Sequence, residues 1–258
     1  MPNSTQQPSD QAHGSYAAFI RIYLSPYHIY SAFHLARLSA GIEATGEPRR
    51  GKFMGEQQRS FVCGAILASV AFLEASINEF FDDDPELSND VRVKLGSLWE
   101  IEFFRRHGKI LEKYQTALRL AGRKPLPAGE NPYQDARHLV KLRNELVHFI
   151  PTDAQTAASP GVQVPLDEFG KALLGKFQEN PWPNLITCDV YNNGVKCESG
   201  PETPPFFPER CLGSGCACWA AKTALAFADE FHSRIGLKGH YDYLRPQLSL
   251  EQPEEENR

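Results

Sequence analysis

Apolar residues recur at intervals of three and four along most of this chain, and that period predicts helices almost throughout. Two short amphipathic stretches, 16–24 and 29–42, are expected to be separated at Ser25-Pro26, with a loop marked by Gly41, Gly46, Pro48 and Gly51 after them. Residues 57–81 are apolar almost all round, the mark of a central helix. Their polar exceptions, Glu74 and Asn78, stand four apart on one face. Asp82-Asp83-Asp84-Pro85 breaks the helix and reads as a turn and a helix cap, since nothing nearby supplies the further oxygen ligands a metal would need. Two more helices are predicted over 88–104 and 107–121, ending at Gly122. An apolar, alanine-rich closing helix is predicted over 218–235.

The best punctuated helix lies between them. Asn131 suits the N-cap and Pro132 the first helical position. Gln134 stands three residues after the cap, as in a capping box. Leu139, Leu142, Leu146 and Phe149 carry the apolar period, and Pro151 stops it. The helix is expected over 132–149.

Its last turns read Leu142-Arg143-Asn144-Glu145-Leu146-Val147-His148. An imidazole moves a proton near neutral pH, and a guanidinium holds a phosphate with two parallel hydrogen bonds. An amide bonds the ribose or the phosphate. Asn144 and His148 share a polar face with Lys141 and Glu145, whereas Arg143 projects about 140° from His148, toward the apolar arc. Either Arg143 is buried with a partner, or a cleft between two copies of the helix uses it.

Arg143-Asn144 with His148 at a helix end resembles the R-x4–6-H motif of the HEPN superfamily. The apolar segment 66–81 and the closing segment 218–235 resemble helices of the same kind of bundle, so the likeness spans roughly 57–150 and 216–236. The spacing alone is permissive: Arg21 to His28 and Arg234 to His240 also satisfy it, without a polar residue after the arginine. The resemblance implies an all-α, HEPN-like helical bundle. It implies a metal-independent endoribonuclease acting through Arg143, Asn144 and His148, needing no cofactor, and forming a homodimer through the motif helix. Toxin–antitoxin, antiviral and RNA-processing systems use such domains, which implies an RNA substrate and an antitoxin or other protein partner. Other HEPN-like proteins are non-catalytic binding modules, and that alternative stands beside the first. Glu74 and Asn78 are candidates to orient the site, against the plainer reading of an interhelix hydrogen bond that fixes packing.

Composition narrows these readings. Hydrophobic residues make up 41% of the 258, enough for a substantial core. A net charge of −5 does not suit a non-specific nucleic-acid coat. An RNase needs only a local positive site, which Arg137, Lys141 and Arg143 can supply. Arg105, Arg106, His107 and Lys109 form a second basic cluster, read as a solvated helix end. Residues 1–15 are expected to be a polar leader, 16–245 one domain, and 246–258 an acidic tail. Without an apolar leader or an uninterrupted apolar span, a cytoplasmic protein free of the membrane is expected.

Residues 151–210 break the helical pattern and read as a long Pro/Cys-rich insertion before the last helix, holding one short helix over 167–177 and a hairpin around Asn192-Asn193-Gly194. Cys211, Cys216 and Cys218 follow, spaced C-x4-C-x-C. Paired C-x2–4-C knuckles are missing, so buried free thiols are favoured over a zinc-binding interaction module.

Overall fold

The computed structural model describes residues 21–46, 52–82, 87–150, 166–181, 190–192, 195–197 and 205–250. These are mostly helical. In chain order they comprise α1 (Ser25–Thr45), α2 (Lys52–Phe81), α3 (Asn89–Trp99), α4 (Glu102–His107), α5 (Ile110–Leu120), α6 (Tyr133–Val147), α7 (Glu168–Leu173) and α8 (Ser214–Ile235). A small antiparallel ribbon of β1 (Val190–Asn192) and β2 (Val195–Cys197) pairs Val190 with Cys197. It falls where the asparagine-rich turn predicted a hairpin.

Pro26 does not divide two helices. It stands in the first turn of one long helix, where its missing N–H has no helical partner to lose. That N-terminus is capped from another helix: Glu79 of α2 accepts the N–H groups of Leu24 and Ser25 at 2.7 and 2.8 Å and the Ser25 hydroxyl at 2.5 Å. Of the predicted 16–24 stretch, residues 16–20 lie outside the described residues, and 21–24 are not helical.

The two helices expected over 88–121 are three. Breaks fall at Glu100-Ile101 and at Gly108-Lys109. At the first break Phe81 stacks on Trp99 at 5.5 Å, and Phe104 meets Phe81 edge-on at 5.3 Å. Packing both Trp99 and Phe104 against one ring turns the chain.

The central element is α2, which packs against α1, α3, α5, α6 and α8. From Gly55 to Phe81 it is long and apolar enough to match a membrane span, yet half of it is buried among these neighbours. Val62, Ala65, Ile66, Val70, Phe72, Leu73, Ile77, Phe80 and Phe81 are all buried, and they cover more than one face. Opposite lies α8, whose Ala217, Ala220, Ala221, Ala224 and Ala228 are fully buried. Small side chains there let the helices approach closely. Larger rings fill the rest: Tyr114 of α5 meets Phe227 and Phe231 edge-on, each at 4.8 Å, and its hydroxyl donates to the Leu73 carbonyl at 2.8 Å. Each such buried ring contributes about 1.5–3 kcal/mol.

Tyr133 at the start of α6 packs near Phe227 in the later half of α8, and Phe149 past its end packs near Phe207, before α8. The two helices therefore run antiparallel. The end of α6 shares one end of the bundle with the end of α1 and the starts of α2 and α8. There Glu43 of α1 accepts the Ser214 N–H and hydroxyl, both at 2.6 Å, and Arg59 of α2 meets Glu209 at 2.5 Å with both side chains almost wholly buried.

After Gly236, at φ 88 beyond the last turn of α8, the chain folds back along the bundle. Residues 246–250, read from the sequence as part of an acidic tail, are docked: Arg37 of α1 donates to the carbonyls of Gln247 and Ser249. Residues 251–258 lie outside the described residues, as do 1–20, 151–165, 182–189 and 198–204.

Candidate functional site

The motif lies at the C-terminal end of α6, which spans Tyr133–Val147. The expected capping box is not formed: Pro132 occupies the N-cap, no side chain caps it, and the Gln134 N–H is taken by the Glu130 carbonyl at 2.9 Å. The helix is instead held by Ala136, Leu139 and Leu142, all fully buried. His148 is the C-cap, and its backbone N–H still donates to the Asn144 carbonyl at 2.9 Å.

Asn144, Glu145 and His148 are exposed, and so is Lys141. Arg143 is half-buried. Its Nε is enclosed without a hydrogen-bond partner, and among the described residues no carboxylate pairs with it. Val147, Phe149 and Ile150 beside it are large apolar side chains facing solvent. Ideal helical spacing sends Arg143 and His148 out of the helix about 140° apart.

The other flank of α6 is covered by α7 and the turn after it. The Lys141 ammonium sits 4.5 Å from the Phe169 ring centre, and Lys176 pairs with Asp135 at 2.5 Å. Between them His138 is half-buried with Nδ1 unpartnered. Loss of hydration pulls its pKa below the usual imidazole value, and Lys176, Arg137 and Lys141 lower it further against the single opposing charge of Asp135.

Glu74 and Asn78 lead elsewhere. Asn78 Oδ1 accepts from the Lys113 ammonium of α5 at 3.0 Å, and the Glu74 charge favours that ammonium. Lys113 also donates to the Arg105 carbonyl at 2.8 Å and lies over the Trp99 ring. The pair thus anchors the α4–α5 corner. It does not orient the Arg143/His148 motif. Nothing in the sequence around Lys113 distinguished it from a surface lysine except its register on an amphipathic helix beside Tyr114 and Ala117.

The cysteines also group differently from their spacing. Cys211 and Cys216 are fully buried and meet Cys63 from α2; burial and the neighbouring Cys211 thiol push the Cys216 thiol well above its usual pKa. Cys218 is half-buried, with Lys222 and Glu43 the charges that act on it. All four are free thiols, and among the described residues no three His, Cys, Asp or Glu side chains are arranged to hold a metal ion. The C-x4-C-x-C spacing therefore does not gather Cys211, Cys216 and Cys218 into one ligand set.

A shallow depression of about 550 Å³ lies at the opposite end of α6, lined by Asn131, Pro132, Ala226, Asp229, Glu230 and Ser233. Its carboxylates are already engaged: Asp229 by Tyr241 and Arg245, Glu230 by Arg234. It is remote from the motif and offers no free charge.

Comparison of the chain with protein-family models, with curated proteins and with solved structures found no match.

Proposed function

We propose that this chain is a HEPN-like, metal-independent endoribonuclease that acts as a homodimer paired through the end of α6. The observation that carries the proposal is the state of the motif itself. His148 and Asn144 are exposed, and Arg143 is half-buried beside them with no carboxylate among the described residues to neutralise it.

One protomer does not complete the site, because its arginine and histidine diverge. Two copies of the helix packed side by side bring both pairs into one cleft. The exposed Val147, Phe149 and Ile150 supply apolar area for that packing. In the cleft one His148 takes the proton from a ribose 2′-OH, and the 2′-oxygen bonds to phosphorus. The bond to the 5′-oxygen breaks, and the other His148, protonated, returns a proton to it. Arg143 stabilises the charge gathering on the phosphate, and Asn144 positions the backbone. The nucleophile is held beside its target within the substrate, so no metal is required. The products carry a 2′,3′-cyclic phosphate. A toxin or defence role, a protein antitoxin and a cytoplasmic location belong to the same reading.

The same apolar residues also suit a second reading, a non-catalytic module that binds another protein at this end of the bundle. Cleavage of mixed RNA by the purified protein in EDTA separates the two. Cutting by the wild type that Arg143→Ala and His148→Ala both abolish is the expected result. A wild type that cuts nothing, or cutting that survives both substitutions, overturns the nuclease assignment.

A further inference from the structure

We infer that Arg137, Lys141 and Asn144 form a phosphate-binding track along α6 that delivers single-stranded RNA to His148. The inference rests on the nuclease reading and adds a substrate subsite to it. Helical spacing places Arg137, Lys141, Asn144 and His148 within an arc of about 60°, one above another. All four are exposed, and among the described residues none has a side-chain hydrogen bond or ion pair to another residue. Arg137, Asn144 and His148 on this stripe keep their polar groups for a ligand, and Lys141 keeps its charge beside the Phe169 ring.

The charge on that stripe is opposite to that of the whole molecule. The chain carries −5, yet the nearest carboxylate in the first turns of α6, Asp135, is already neutralised by Lys176 at 2.5 Å. Glu145 borders the face without occupying its centre. His138 lies beside the track; burial is the main cause of its lowered pKa, and Lys176, Arg137 and Lys141 add to it against Asp135 alone. The Lys141 ammonium rests 4.5 Å from the Phe169 ring centre, a contact that fixes its position on an exposed side chain without neutralising its charge.

The chemistry selects the occupant. Arg137 and His148 are about 16 Å apart along the helix, a span of a few nucleotides of extended strand. Guanidinium and ammonium groups spaced along a line suit successive phosphates of one strand. Phosphate contacts carry no base specificity, so the track contributes affinity and register.

The test is binding of a fluorescent 2′-O-methyl RNA of mixed sequence, which lacks the nucleophile and cannot be cut, together with cleavage of the unmodified RNA. The variant is Arg137→Gln with Lys141→Gln, compared with Arg105→Gln with Lys238→Gln as a remote loss of equal charge. The track variant is expected to bind at least tenfold more weakly in moderate salt. It should also lose about 0.7 per removed cation from the slope of log affinity against log salt, and cut with a raised KM. The remote variant should stay near wild type. A track variant that binds and cuts like the remote one overturns the track while leaving the nuclease reading standing. Weakened binding at the track in a protein that cuts nothing keeps the track and removes the nuclease. A wild type that binds no RNA overturns the track.

Discussion

Glu43, in the last turn of α1, accepts both the backbone N–H and the hydroxyl of Ser214, at the first position of α8, from 171 residues away. The same carboxylate takes the Gln58 side-chain amide of α2 at 2.5 Å. One side chain therefore caps a helix and ties three elements. Glu43→Ala is expected to cost about 1–2 kcal/mol, the usual worth of an N-cap. Urea unfolding should show a lower midpoint at unchanged slope. A midpoint equal to that of the wild type would show that the cap is redundant.

Lys113 is a buried ammonium, and burial lowers its pKa from 10.5. Its unfolded form therefore binds more protons than its folded form between the lowered value and 10.5, so its contribution to stability rises with pH across that window. Removing the group also leaves the Arg105 carbonyl and Asn78 Oδ1 without their donor. Lys113→Met should destabilise by about 1–3 kcal/mol at neutral pH. Lys113→Met with Asn78→Leu should recover part of that loss. Equal losses in the single and double variants would refute the pairing.

His138 has the same sign of linkage at a lower pH. Its folded pKa is below 6.5, mainly from burial and then from Lys176, Arg137 and Lys141. Its contribution to stability is fully present above 6.5 and is lost as pH falls toward the folded value. His138→Gln should therefore flatten the acid side of a plot of Tm against pH from 6.5 downward. An unchanged acid limb would place the lost stability on other groups.

A Cβ at Gly215 would lie 2.3 Å from the Gln178 carbonyl oxygen, a backbone atom that cannot swing aside. Gly215→Ala should lower Tm by several degrees through overpacking of about 1–3 kcal/mol. Gly96→Ala, whose Cβ would meet nothing within 4 Å, is the control and should raise Tm slightly. Equal Tm values for the two variants would contradict the close approach.

Much of the helical architecture could be read from spacing. The central α2, the closing α8 and the motif helix follow from apolar residues at three- and four-residue steps, and that signal grows with length. Shorter elements were harder. The break near Gly108 falls within a few residues of the join expected between 88–104 and 107–121, but the one near Glu100 lies inside a continuous helical period; it depends on where Phe81, Trp99 and Phe104 pack in three dimensions. The polar spacing of Glu74 and Asn78 correctly marked a shared face but not what faces it, because the partner, Lys113, arrives from a different helix. Asn131 looked like a cap by residue type, yet Pro132 takes that position without side-chain help. The four motif residues on the surface of α6 were legible as a face. Their divergence from Arg143 was legible too, since both follow from 100° per residue.

The ties between Glu43 and Ser214, Arg59 and Glu209, and Arg37 and Ser249 join the first two helices to segments made 150 to 212 residues later. A chain emerging from the ribosome completes α1 and α2 long before their partners exist. Helices α3, α5 and α6 can cover part of α2 as they are made, but the faces of α1 and α2 that meet α8 must wait until that last helix is synthesised. High sequence separation of this kind slows folding and lengthens exposure of sticky surface. The growing polypeptide is thus a natural client for holding chaperones, and nascent chains arrested before Ser214 should be far more protease-sensitive than those that include it.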